Sequence, residues 1–171
     1  MDKTQWEKAI KFHGHICPGL AIGYRAAEIA QEKLAVESGA DEEIVCITEN
    51  NACGIDAIQA ILGCTVGKGN LIFNITGKQV YNIYSRSTAK GLRLYFQLPR
   101  KEYSKEEYIE HILSDPAEQV FTIGEPHYPL PAKARIFTTV TCDTCGEGAA
   151  EPQMRLQNGK KVCLECFNNS K

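Results

Sequence analysis

Leu71-Ile72-Phe73-Asn74-Ile75-Thr76-Gly77-Lys78-Gln79-Val80-Tyr81-Asn82-Ile83-Tyr84-Ser85 is the stretch that decides the fold class. It holds two runs rich in β-branched and aromatic residues, one on each side of Gly77. Leu92 to Leu98 follows Gly91 with alternating residue character, so the middle of the chain reads as an antiparallel meander. The segments before it are mostly helical. Thr4 precedes Glu7 by three positions, a capping-box spacing that opens a helix to about Phe12. Pro18 suits a first helical turn, and apolar residues recur at helical spacing from Gly19 to about Ser38. Ile44 to Thr48 is short and β-branched, the pattern of a buried strand; Ile55 to Leu62 is a compact helix stopped by Gly63. Beyond the meander, Ser104 and Glu107 form a second capping box, Asp115-Pro116 starts a short helix, and Ala134 to Thr141 reads as a strand. Helices and strands segregate rather than alternate. The expected class is α+β, with a mostly antiparallel sheet packed on helices.

The whole chain has 171 residues, 43% apolar and 23% charged, which suits a globular domain with its own core. A net charge of −2 argues against broad binding to nucleic acid or anionic membrane. No apolar run approaches the roughly 18 residues of a spanning helix, and the first residues lack a signal-peptide core. The expected location is cytoplasmic, where thiols stay reduced.

Eight cysteines then need an explanation other than disulfides. Four lie in the first 64 residues and four in the last 30, with none between. This gap divides the chain into an expected core domain, 1–138, and a finger, 139–171. Cys142-x2-Cys145 and Cys163-x2-Cys166 have four-thiolate spacing, and both sulfurs of such a knuckle reach one ion at about 2.3 Å. Gly146 permits the tight turn, Asn158-Gly159 marks a hairpin, and the second pair starts a short helix. Together these predict a treble-clef or zinc-ribbon finger with structural zinc, whose binding supplies the folding free energy.

The second constellation is His13-x-His15-x-Cys17, three good ligands at alternate positions of an extended segment. Cys17 and Cys53 each precede a helix, where the dipole favours a thiolate. Cys64 follows the second helix. The reading brings His13, His15, Cys17, Cys53 and Cys64 towards one ion, zinc or another transition metal, with a position open for water or substrate. Cys46 is a small buried hydrophobe. Asp56, one turn past Cys53, either orients a ligand histidine or favours the helix start. Gly63-Cys64-Thr65-Val66-Gly67-Lys68-Gly69-Asn70 fails as a phosphate loop because its glycine spacing is one short and Gly69 replaces Ser or Thr. It is a glycine-rich anion or substrate loop with Lys68 as the charge, or only a flexible connector.

Two blocks resemble the FmdE family, which takes its name from formylmethanofuran dehydrogenase. One is Phe12-His13-Gly14-His15-Ile16-Cys17-Pro18-Gly19. The other is Cys53-Gly54-Ile55-Asp56-Ala57-Ile58-Gln59 followed by Gly63-Cys64-Thr65-x-Gly67-Lys68-Gly69-Asn70. The resemblance covers roughly residues 5 to 140. It implies an α+β core, a homodimer, and a groove for a small-molecule ligand near the His/Cys motifs; some members carry a C-terminal treble clef. It also implies association with a molybdenum or tungsten dehydrogenase complex that reduces carbon dioxide onto methanofuran. On this reading the protein is metal-binding and linked to one-carbon or redox metabolism. Cys17, Cys53, Asp56 and Lys68 are the candidate catalytic groups, and Thr65 and Lys68 orient the ligand. The alternative is a non-enzymatic accessory subunit or metal carrier that docks on a larger dehydrogenase.

Overall fold

The computed structural model describes residues 2–100 and 102–169. It divides into two compact units, one running through Ala134 and one starting at Arg135. The first is α+β: five strands form one sheet, and helices pack on one of its faces.

Helix α1 spans Lys3–His13. Its cap is Asp2, not Thr4: the Asp2 carboxylate accepts from the amides of Thr4 (2.8 Å) and Gln5 (3.3 Å). The carboxylate therefore satisfies first-turn donors ahead of the expected Thr4–Glu7 box. Gly14, at φ +95°, ends the helix in a left-handed turn that a side chain would strain. Helix α2 spans Pro18–Leu34, with Cys17 as its N-cap and Pro18 in its first turn. It ends four residues before Ser38, where Ala35 turns left-handed. After strand β1 (Ile44–Thr48), helix α3 spans Gly54–Leu62 and is stopped by Gly63 at φ +70°.

The contact between α2 and α3 is made through glycine. A β-carbon on Gly23 would lie 2.0 Å from the Gly54 carbonyl oxygen, and one on Gly54 would lie 3.0 Å from the Gly23 nitrogen. Only bare backbone fits on both sides. Around this crossing Leu20, Ala27, Ile58 and Leu62 are wholly buried. Burying a Leu or Ile side chain contributes about 1.5–3 kcal/mol relative to leaving it in water. The close approach also brings the N-terminal ends of the two helices together.

The remaining strands are β2 (Leu71–Phe73), β3 (Val80–Ser85), β4 (Lys90–Phe96) and, after helices α4 (Lys105–Ser114) and α5 (Ala117–Val120), β5 (Phe121–Gly124). Sheet order is β2-β1-β3-β4-β5. Among the described residues only β1 and β2 run parallel, because α3 lies in the connection between them. The meander β3-β4 pairs Val80 with Tyr95 and Ser85 with Lys90. Strand β3 is buried on both faces. Tyr81 and Ile83 face the helices, whereas Tyr84 packs with Val45 and Ile47 on the other side, beneath Tyr128 and Leu130. The capping box at α4 forms in full: Ser104 Oγ accepts from the Glu107 amide, and Glu107 Oε2 accepts from the Ser104 amide.

The second unit is a finger. A two-stranded ribbon, β6 (Thr139–Thr141) with β7 (Gly148–Ala150), flanks the first cysteine pair. The strand expected from Ala134 is therefore confined to Thr139–Thr141. A hairpin of β8 (Met154–Gln157) and β9 (Lys160–Cys163) leads into helix α6 (Leu164–Asn169). Asn158 (φ +50°) and Gly159 (φ +78°) both adopt the left-handed conformation of a tight two-residue hairpin turn.

Candidate metal centre

His13 is the last residue of α1, and the left-handed turn at Gly14 reverses the chain behind it. Its convergence with His15 and Cys17 thus comes from a helix end and a turn, rather than from alternation along an extended segment. A nitrogen from each histidine and the Cys17 sulfur all lie within 4.8 Å of one another. Cys17 Sγ is 3.7 Å from His13 Nε2. In a tetrahedral site with metal–sulfur and metal–nitrogen bonds of about 2.3 and 2.0 Å, this edge is about 3.5 Å. The donor set and its spacing fit a transition metal.

The elements behind the cluster hold these side chains in place. Asp56 Oδ2 lies 2.7 Å from His13 Nδ1, and Gln59 Nε2 donates to the other Asp56 oxygen at 3.3 Å. Asp56 and Gln59 are one turn apart on α3, so both point to the same side. Asp56 thereby directs His13 Nε2 towards Cys17, the arrangement of a carboxylate that orients a metal-ligating imidazole. Cys17 Sγ in turn accepts the Leu20 amide at the start of α2 (3.4 Å). His15 is the exposed member, its ring centroid 4.4 Å from that of His13.

Cys53 adjoins this group without being one of its three converging ligands. It is exposed and lies beside the Cys17 thiol. The Cys17 and Cys53 sulfurs sit 3.9 and 3.7 Å from the point that a β-carbon on Gly19 would occupy. Burial, and then the neighbouring Cys17 thiol, raise the Cys53 thiol above its ordinary range.

The structure places three other candidates elsewhere. Cys64 lies past the far end of α3, about 13 Å of helix rise from Cys53. It is fully buried, its thiol donates to the Ile44 carbonyl at 3.5 Å, and burial pushes it up to about 12. It does not reach the histidines. Lys68 is also committed: its ammonium donates to the carbonyls of Gly39, Ala40 and Asp41 at 3.1–3.4 Å. Thr65 Oγ1 accepts the Lys68 amide at 3.3 Å. The Lys68 charge ties the loop to the connection between α2 and β1, and the Thr65 hydroxyl bonds within the loop. Asn70 completes that closure, donating to Ile44 O (2.8 Å) and accepting from the Thr65 amide (2.8 Å). The segment is a pinned connector from α3 to β2. Cys46 is a buried hydrophobe in β1.

Two residues near the centre had no assigned role. Gln59 was legible, one turn beyond Asp56. Tyr81 was not: it enters from β3 and is wholly buried. Its hydroxyl lies 2.3 Å from the point that a β-carbon on Gly54 would occupy.

In the finger, the sulfurs of Cys142, Cys145, Cys163 and Cys166 also fall within 4.8 Å of one another. The Cys145–Cys163 distance is 3.9 Å, close to the edge of about 3.8 Å expected for four thiolates at about 2.3 Å from zinc. Backbone amides, from Cys145 first and then Cys163, lower the Cys142 thiol to about 6. The Cys163 thiol, followed by burial, pushes Cys166 up to about 12. Asp143 Oδ2 accepts the Lys161 amide at 2.7 Å and ties the knuckle to β9. A cation supplies the positive charge that lets all four sulfurs ionise together.

Comparison with known proteins agrees with both halves. Residues 12–122 match the model of FmdE, described as molybdenum formylmethanofuran dehydrogenase operon, and residues 135–170 match the prokaryotic dksA/traR C4-type zinc finger. A protein of Archaeoglobus fulgidus named "Probable S-adenosyl-L-methionine-binding protein" is 32% identical over 191 aligned positions, covering 93% of this chain. The chain spans about half the length of that relative, 51%. A solved FmdE-like protein from Syntrophus aciditrophicus, named for tungsten formylmethanofuran dehydrogenase, shares the fold. Its TM-score is 0.70 at 23% identity, covering 96% of this chain and 90% of that one. The match to the FmdE model spans most of the chain and contains both His/Cys blocks, so the chain belongs to the FmdE family and ends in a C4-type zinc finger.

Proposed function

We propose that the core binds a transition metal through His13, His15 and Cys17, and presents it to a small molecule. The observation that supports this reading is the mutual approach of three ligand atoms within 4.8 Å, with Asp56 fixing the orientation of His13. Three protein ligands leave a fourth position for water or substrate, the pattern of a reactive rather than a structural zinc site. Cys53, next to the Cys17 thiol, is the candidate to act on a bound molecule or to complete the coordination. A bound metal would supply Lewis acidity; His13, His15 and Cys17 would hold it, with Asp56 orienting His13. Family membership links the reading to one-carbon or redox metabolism.

The second reading is an accessory subunit or metal carrier that docks on a molybdenum or tungsten dehydrogenase. The family description, with its reference to a formylmethanofuran dehydrogenase operon, favours it. A homodimer belongs to either reading.

Elemental analysis of purified protein separates the first reading from a purely structural core. Two metal equivalents per chain are expected, falling to one in Cys17→Ala while the finger stays loaded. One equivalent in both proteins overturns the core metal. Co-purification from native cells separates a free-standing enzyme from a subunit. Calorimetry of the loaded protein should include S-adenosyl-L-methionine, the ligand in the Archaeoglobus relative's name.

A further inference from the structure

Two cysteines share one corner of the core, beside a base. Cys17 Sγ is 3.7 Å from His13 Nε2, and His13 Nδ1 is 2.7 Å from Asp56 Oδ2. This is a thiol, imidazole and carboxylate in series, the arrangement that activates a sulfur nucleophile when no metal holds it. Cys17 also accepts an amide at the start of α2, where an anion is favoured. Cys53 is exposed and its thiol is in hydrogen-bond contact with that of Cys17; both sulfurs lie within 4 Å of the point that a β-carbon on Gly19 would occupy. The other core cysteines, Cys46 and Cys64, are fully buried, and the four finger cysteines are gathered for zinc.

We propose that Cys17 and Cys53 form a dithiol site that reacts with small-molecule disulfides. The site uses the same side chains as the metal reading and rests on that reading only for the competition between metal and disulfide. In the first step the Cys17 proton passes to His13 Nε2 and the sulfur attacks one sulfur of the disulfide. A Cys17–sulfur bond forms, the incoming S–S bond breaks, and the departing thiolate takes the proton from His13. In the second step Cys53 attacks Cys17 Sγ. The Cys17–Cys53 bond forms and the second thiol leaves with the Cys53 proton. One small disulfide is reduced to two thiols, and the cysteine pair is oxidised by the same two electrons. Cys17 cannot be a metal ligand and a disulfide partner at once, so oxidation empties the core centre and metal blocks oxidation.

The test uses the full chain, reduced, with one zinc equivalent to fill the finger, and hydroxyethyl disulfide as the probe. Alkylation of remaining thiols and peptide mapping by mass spectrometry should find a Cys17–Cys53 linked peptide and two thiols released per chain. Cys53→Ser should stop at a mixed disulfide on Cys17 with one thiol released. Asp56→Asn should slow the first release by at least about ten-fold with the linked end point unchanged, and Asp56→Glu should restore most of the rate. Absence of the linked peptide, or separate adducts on both cysteines, overturns the proposal. A second zinc equivalent separates the two readings. If zinc leaves the reaction rate unchanged, the metal reading fails and the dithiol stands. If metal-free core gives no cross-link yet binds the second zinc, the dithiol fails and the metal reading stands.

Discussion

Replacing Gly23 by alanine should separate the two helices that build the candidate centre. The added β-carbon would sit 2.0 Å from the Gly54 carbonyl oxygen and 2.4 Å from its Cα, and both are backbone atoms that no rotamer change can move. Relief to an ordinary contact requires a shift of more than about 1 Å between α2 and α3, which opens gaps beside Leu20 and Ile58. Overpacking of this kind costs typically about 1–3 kcal/mol or more. Alanine returns about 1 kcal/mol through its better helix propensity. A 2.0 Å approach to backbone puts the cost at the upper end of that range, about 3 kcal/mol, so the net loss should be about 2 kcal/mol. Trp6, the only tryptophan, packs edge-on against Tyr24 of α2 with ring centroids 5.1 Å apart, so its fluorescence reports unfolding of the core during a urea titration. Gly67→Ala is the control, because nothing lies within 4 Å of its β-carbon position and its φ is not left-handed. The same shift should weaken metal uptake at the core, since it moves α2, which carries Cys17, against α3, which carries Asp56. A Gly23→Ala protein as stable as the parent, or more stable by the propensity gain, would refute the bare-backbone crossing and with it this account of how the site is assembled.

Lys68→Met should lower core stability by about 1 kcal/mol, because three carbonyls lose their donor. It should leave core metal uptake unchanged; calorimetry and elemental analysis check both, and an unchanged stability counts against the pinned loop. Alkaline pH should destabilise the core through Tyr24. Burial, then the Glu28 charge, push its hydroxyl up to about 12. A raised folded value means the contribution is complete below the unfolded value of about 10 and is lost as pH rises towards 12. Tyr24→Phe should flatten that part of a stability-versus-pH curve, and an unaltered slope contradicts it. Chelation should unfold the finger while Trp6 fluorescence stays native, because about 35 residues bury too little apolar surface to fold without the ion. Simultaneous loss of both signals would show that the core depends on the same metal.

Much of the architecture could be read from local chemistry. Gly63 ends α3, Ser104 and Glu107 cap α4, and Asn158-Gly159 turns the finger hairpin, each by conformational preferences acting within a few residues. The Thr4 cap failed for an equally local reason: the Asp2 carboxylate two positions upstream takes the amides of Thr4 and Gln5, so the helix has already begun before Thr4. The parallel pairing of β2 with β1 had no local signal, because it depends on how the chain returns after α3.

Residue types and local spacing pointed to the two cysteine knuckles of the finger, to His13, His15 and Cys17 as neighbours, and to the helix starts after Cys17 and Cys53, since each of these lies within a few residues of chain. Only the tertiary structure decided which of the more distant residues join them. Asp56 meets His13 where α1 packs on α3, and Cys53 meets Cys17 because Gly23 and Gly54 let α2 and α3 touch, whereas Cys64 and Lys68 are carried to the other end of α3, where both donate to backbone carbonyls. The length of a helix and the missing side chains at its crossing set those distances, and neither is visible in the ligand types alone.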